Sequence, residues 1–163
     1  MAIKDGLLAE FDHEIATTRK LLDRLPDEKL AWKPHVKSWS LGGLATHLTN
    51  LPRWTETILN EASYNLASDT PRTTELTSRA DLVRTFDENA KRARGWMDKT
   101  DAEYMARWSL MRGEQEVFSM PRVAAWRSFV MSHMIHHRGQ LTVYLRLNDV
   151  PLPPIYGSTA DEG

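Results

Sequence analysis

Apolar positions recur at three- and four-residue intervals in four stretches of the chain, the spacing of amphipathic helices. The first stretch runs from about Ile3 to Leu25, with Leu7, Phe11, Ile15, Thr18, Leu22 and Leu25 on one stripe and Pro26 as its stop. A loop holding Pro34 follows, and Ser40 is placed to cap a second helix that reaches about Ala62. Its inward positions are Leu44, Leu48, Leu51, Thr55 and Ile58, and Pro52 predicts a kink or a break. The third helix begins after Ser78, where "SRAD" resembles a capping box with Asp in place of Glu. Leu82, Phe86, Ala90, Ala93 and Met97 form its stripe. The fourth opens at Pro121 as first helical residue and continues to about Leu147, with Asn148 and Pro151 stopping it.

The connections set the topology. The polar stretch 63–77 is long enough to cross the length of a helix, so helix 3 is expected parallel to helix 2. Within 101–120, the run "RWSLMRGEQEVFSM" holds two short strand-like pieces around Arg112–Gly113, which predicts a short hairpin between helices 3 and 4. The tail from about 149 reads as extended, packed near Ile155 and Tyr156 and frayed at its end. The expected fold is all-α, a four-helix bundle in a single domain spanning 1–163.

Composition narrows the function classes. The formal net charge is −1, which gives no footprint for nucleic acid or an acidic membrane surface. There is no cysteine, so disulfides, thiolate metal sites and a cysteine nucleophile are excluded. No apolar run of about 18 residues occurs, and the N-terminal residues lack the apolar core of a signal peptide. A cytoplasmic protein acting on a small molecule is expected. The six tryptophans are read as packing.

The candidate chemistry lies in "SHMIHHRGQL", residues 132–141. At about 100° per residue, Trp126, Phe129, Val130, His133, His137, Gln140 and Tyr144 fall in one stripe. His133 and His137 are expected at its centre, His136 about 80° off it, and Arg138 farther round. On helix 2, His47 shares a face with Leu44, Leu51, Trp54 and Ile58, and Gly43 keeps space open one turn before it. His13 faces away and His35 lies in a loop. Three inward imidazoles from two helices suit a divalent metal with an open coordination position. Hydrogen-bonded core histidines are the other reading, because wheels do not show that His47 reaches the pair.

Around these, Gln140 follows His137 on the inward face and is a candidate to contact a metal-held ligand, or a core polar group bonded to backbone. Asn50 and Asn89 are candidates to orient an imidazole. Trp39 and Trp54 are candidates for a pocket wall, with core packing favoured for both. Arg138 is read as a structural ion pair, and His136 either as an orienting hydrogen-bond partner or as a dimer contact. The spacing of His133 and His137 matches the zinc-protease motif, but Met134 occupies the place of its general base. A di-iron site lacks its inward glutamates: only Glu10 and His13 have the required spacing, and His13 faces out.

The segments "SWSLGGLATHL" (38–48) and "SHMIHHRGQLTVYLRLNDVPLPPIYG" (132–157) resemble the DinB-like superfamily of bacterial four-helix proteins. That resemblance implies an up-down-down-up bundle, metal ligands at His47, His133 and His137, nickel or zinc as the usual metal, and a homodimer. It also implies one of two chemistries, hydrolysis or transfer of a low-molecular-weight thiol such as bacillithiol or mycothiol. A non-enzymatic metal-binding or stress-response module is the alternative. Space over the metal separates the two, since an enzyme needs a roomy pocket and a binding module has a plugged one.

Overall fold

The computed structural model describes residues 2–68 and 74–162. Helix α1 (Ile3–Leu22) stops at Asp23, short of the expected Leu25. Pro26 disfavours helical backbone in the residue before it, and Leu25 remains fully buried in the turn that follows. Helix α2 (Leu41–Asn50) is capped by Ser40, whose hydroxyl accepts from the Gly43 amide at 2.8 Å. Pro52 breaks it into a 3-10 turn (Leu51–Arg53), after which α3 (Trp54–Asn60) resumes. A short strand β1 (Ser63–Asn65) comes next. The middle of the predicted crossover, residues 69–73, lies outside the described residues.

Helix α4 (Arg79–Trp96) starts where Ser78 predicts. Only half of a capping box forms, because the Asp81 carboxylate accepts from the Ser78 hydroxyl (2.7 Å) rather than from its backbone amide. Leu82, Phe86, Ala90, Ala93 and Met97 are all buried. A short helix α5 (Asp101–Met105), capped by Thr100 and Glu103, was not expected. Strands β2 (Arg107–Arg112) and β3 (Gln115–Pro121) then form the predicted hairpin, with Gly113 at the tip in the left-handed region (φ 61°). β2 also pairs in parallel with β1, giving the sheet order β1-β2-β3. The all-α expectation is thereby corrected: the chain is mostly helical with a small three-stranded sheet. Period-2 patterning over so few residues does not distinguish a third strand from loop, and β1 is only Ser63–Asn65.

The last long stretch runs as α6 (Arg122–Trp126), a π-helical turn (Arg127–Ser132) and α7 (His133–Arg146). Pro121 is its N-cap rather than its first helical residue. A π turn holds an extra residue, and its effect on the inward face is plain. Before it Trp126 is buried and within it Val130; after it the buried positions are Met134, Arg138, Leu141 and Leu145. The inward stripe is displaced by one position from a uniform wheel. His133, His137 and Tyr144 are half-buried at its edge, and Gln140 is exposed.

α1 and α2 each pack against both α4 and α7, around a core that includes Phe11, Leu48, Phe86 and Trp126. The hairpin supports the π turn: Phe129 stacks on Phe118 with ring centroids 5.9 Å apart and meets Trp108 at 5.8 Å. The C-terminal tail is extended, but it is tied down rather than frayed. Tyr156 reaches Arg138, and Arg24 pairs with Glu162 at 2.6 Å.

Candidate metal centre

His47 approaches from the last turns of α2, and His133 and His137 from the first turns of α7. Their ring centroids lie 5.0 Å (His47–His133), 4.6 Å (His47–His137) and 4.7 Å (His133–His137) apart. One nitrogen from each ring falls within 4.8 Å of the others. The Nε2 atoms of His47 and His133 are 3.2 Å apart. Two nitrogens that each bind one ion at about 2.0–2.1 Å in tetrahedral geometry lie about 3.3–3.4 Å apart. The spacing therefore fits a shared cation.

For the two histidines of α7 the second nitrogens are engaged elsewhere. His137 Nδ1 donates to Gln140 Oε1 at 2.7 Å, and the Gln140 amide lies 3.1 Å from His136 Nε2. His133 holds a hydrogen bond with the Phe129 backbone one turn earlier, inside the π turn. A ligating imidazole needs this arrangement: one N–H fixed on an acceptor, the opposite lone pair free. Burial, assisted by the neighbouring His137 and His133 rings, pushes His47 down to about 4. Burial lowers His133 and His137 as well, opposed at His133 by the Phe129 bond and at His137 by Gln140. All three rings are thus neutral near pH 7, the form a metal requires.

Trp39 forms a wall. It is half exposed, its ring stacked on His137 (5.7 Å, 28° between planes) and tilted against His47 (4.8 Å). Core packing, the expectation favoured for Trp39, gives way to the wall reading. The loop that carries it is held by Trp32, edge-on to Tyr144 at 5.7 Å. Beside His47 opens a cleft of about 350 Å³, lined also by Lys33, Trp39, Ser40 and Glu75. Glu75 accepts from the Ser40 hydroxyl at 2.7 Å. Gly42 and Gly43 permit this approach, because a Cβ on Gly42 would sit 2.9 Å from the Glu75 carboxylate and one on Gly43 2.9 Å from Ser40 Oγ. Sequence reading missed Glu75; the adjacent glycines after a capping serine are its only trace.

The remaining candidates lie elsewhere. Asn50 bonds to its own helix at the Thr46 carbonyl (2.8 Å), and Asn89 to the Thr49 carbonyl (3.1 Å). Trp54 packs edge-on against Tyr64 at 4.7 Å. Arg138, placed off the histidine face and read as a structural ion pair, does pair with Glu14 at 2.5 Å, and it is among the most buried side chains. His13 and His35 are exposed.

The model of the DinB family matches residues 2–162. The chain belongs to the DinB family. Among relatives, an uncharacterized protein of Bacillus subtilis, YrdA, is 29% identical over 160 residues, which are 97% of this chain and 90% of that one. A DinB-like protein from Bacillus cereus has a solved structure that superposes with a TM-score of 0.74 at 23% identity, covering 95% of this chain and 98% of that chain. The DinB-like protein YjoA from Bacillus subtilis gives 0.71 at 17% identity, covering 94% and 99%. With these two the likeness is one of fold. Among the described residues no helix is long and apolar enough to cross a membrane.

Proposed function

We propose that this DinB protein is a metal-dependent enzyme whose His47, His133 and His137 hold one divalent ion, nickel or zinc. The observation that carries the reading is the convergence of three neutral imidazoles whose inner nitrogens face one another, with the outer nitrogens of His133 and His137 anchored. An all-imidazole donor set suits these metals. A bound ion there supplies Lewis acidity, which makes a water or a small-molecule thiol nucleophilic near neutral pH.

The chain's own residues do the positioning. Gln140 holds the Nδ1 proton of His137, and the Phe129 backbone fixes His133. Trp39 covers one side of the imidazoles and limits water there. The cleft beside His47 leaves room for a substrate, which favours an enzyme over a plugged binding module. Met134 is fully buried and offers no base, so protease chemistry of the helical zinc type is disfavoured. The up-down-down-up bundle, a cytoplasmic location and a homodimer belong to the same reading. Val143 on α7 and Leu147 at its C-cap, both more than half exposed, support the dimer.

The test is a screen of metal-loaded protein for thiol transfer from several bacterial cofactor thiols to electrophiles, run beside ester and amide hydrolysis. Turnover that needs both metal and thiol, and that is lost in His133→Ala, is the expected result. Turnover without thiol assigns a hydrolase. Tight metal binding with no turnover in any arm would instead support the binding module.

A further inference from the structure

A second cleft, of about 340 Å³, opens between the broken α2–α3 segment and α4. None of the three histidines lines it. Pro52 creates it by ending α2, so that Arg53 and Trp54 face Arg92 and Trp96 of α4. Its volume lies in the range of small-molecule sites, about 300–1,000 Å³.

Two features of its lining point to a ligand. Several surface arginines end on carboxylates: Arg19 on Asp87, Arg24 on Glu162, Arg94 on Asp12, Arg107 on Glu116 and Arg127 on Glu10. Arg53 and Arg92 do not. Among the described residues, Arg53 makes only a long bond of 3.4 Å to Asn50 Oδ1, and no carboxylate closes either guanidinium, although Glu56 lines the same cleft. The cleft thus carries two positive charges against one negative, in a chain whose net charge is −1. Its apolar part is aromatic: Trp54 is fixed edge-on by Tyr64, and Trp96 is 41% exposed. The amide of Asn89, only 6% exposed, completes the lining.

Guanidinium groups recognise carboxylate and phosphate through paired N–H donors, and flat rings stack on indoles. We propose that this cleft is a second ligand site, for a small anion that carries a flat ring: an aromatic carboxylate or an aryl phosphate ester. Arg53 and Arg92 hold the anion, and Trp54 and Trp96 take the ring. Glu56 opposes a second negative charge, which favours the carboxylate.

The test follows the indole N–H signals of isotope-labelled protein by NMR, with Trp54→Phe and Trp96→Phe supplying the assignments. Benzoate and phenyl phosphate are the probes; acetate and benzyl alcohol carry only the anion or only the ring. Saturable shifts at Trp54 and Trp96 are expected with both probes, with Trp39 unmoved. Benzoate binds more tightly, and acetate and benzyl alcohol bind at least about tenfold more weakly. Arg53→Ala and Arg92→Ala, both exposed, each weaken benzoate about tenfold, and Glu56→Gln strengthens phenyl phosphate severalfold. His133→Ala leaves all of this unchanged, so the metal reading and this one fail independently. Shifts that never saturate, that persist at full strength in both arginine variants, or that appear at Trp39 instead, overturn the proposal.

Discussion

His137 and Arg138 are neighbours in sequence, yet they anchor two polar clusters of opposite character. Arg138 is 1% exposed, and its guanidinium meets acceptors throughout: the Glu14 carboxylate at 2.5 Å, the Tyr156 hydroxyl at 2.5 Å, the Glu14 carbonyl at 3.3 Å and Thr18 Oγ1 at 3.4 Å. That cluster is closed, with each charge matched inside the protein. On the other side of α7, the three histidines turn lone pairs toward one another with no acid among them. Donors meeting acceptors hold the fold together; acceptors meeting acceptors leave a place for a cation. The distinction depends on where unmatched valence remains, and residue type alone does not reveal it.

The largest expected effect falls on the closed cluster. Glu14→Ala strands Arg138 in the core and should cost about 3–5 kcal/mol in urea unfolding, while metal affinity of the folded fraction is retained. An equal loss in both properties would merge the two regions. Gln140→Leu probes the open cluster: releasing the His137 Nδ1 proton should weaken metal binding about 10–100-fold, read by competition with a chelator. Because Gln140 is exposed, the unfolding midpoint of the metal-free protein should barely move. Ser40→Ala removes the cap of α2 and the hydroxyl under Glu75. It should cost about 1 kcal/mol and loosen metal binding only slightly.

A further effect is on pH dependence. His47 stays neutral in the folded, metal-free protein down to about pH 4, whereas in the unfolded chain it takes a proton near 6.5. The unfolded state therefore binds more protons between these values, and stability falls as pH drops from about 6.5 to about 4. Denaturation series at pH 7 and 4.5 should show that loss in the wild-type chain and a smaller one in His47→Ala. Equal slopes would mean that His47 is not desolvated as the geometry requires.

Much of this was legible in the chain. Capping residues and Pro52 located the breaks between helices, and helical spacing selected His47, His133 and His137 as one inward set. Arg138 was read as an ion pair, but its place in the core was not legible, because a wheel assumes a uniform turn. The π turn at Arg127–Ser132 inserts one residue, which moves Arg138 into the core and leaves His133 and His137 half-buried at its margin. Its support, Phe129 held by Trp108 and Phe118, comes from a hairpin that local sequence does not connect to it. Strand β1 and Glu75 were hidden for a similar reason, since their partners are distant in the chain: Ser109–Met111 for β1 and Ser40 for Glu75.

Metal stoichiometry is the most direct test of a shared cation at His47, His133 and His137. Protein purified without a polyhistidine tag, then dialysed against nickel or zinc, should retain one ion per chain by elemental analysis. His47→Ala, His133→Ala and His137→Ala should each lose it while keeping a cooperative unfolding transition. A wild-type chain that retains no metal, or variants that retain as much as the wild type, would contradict it.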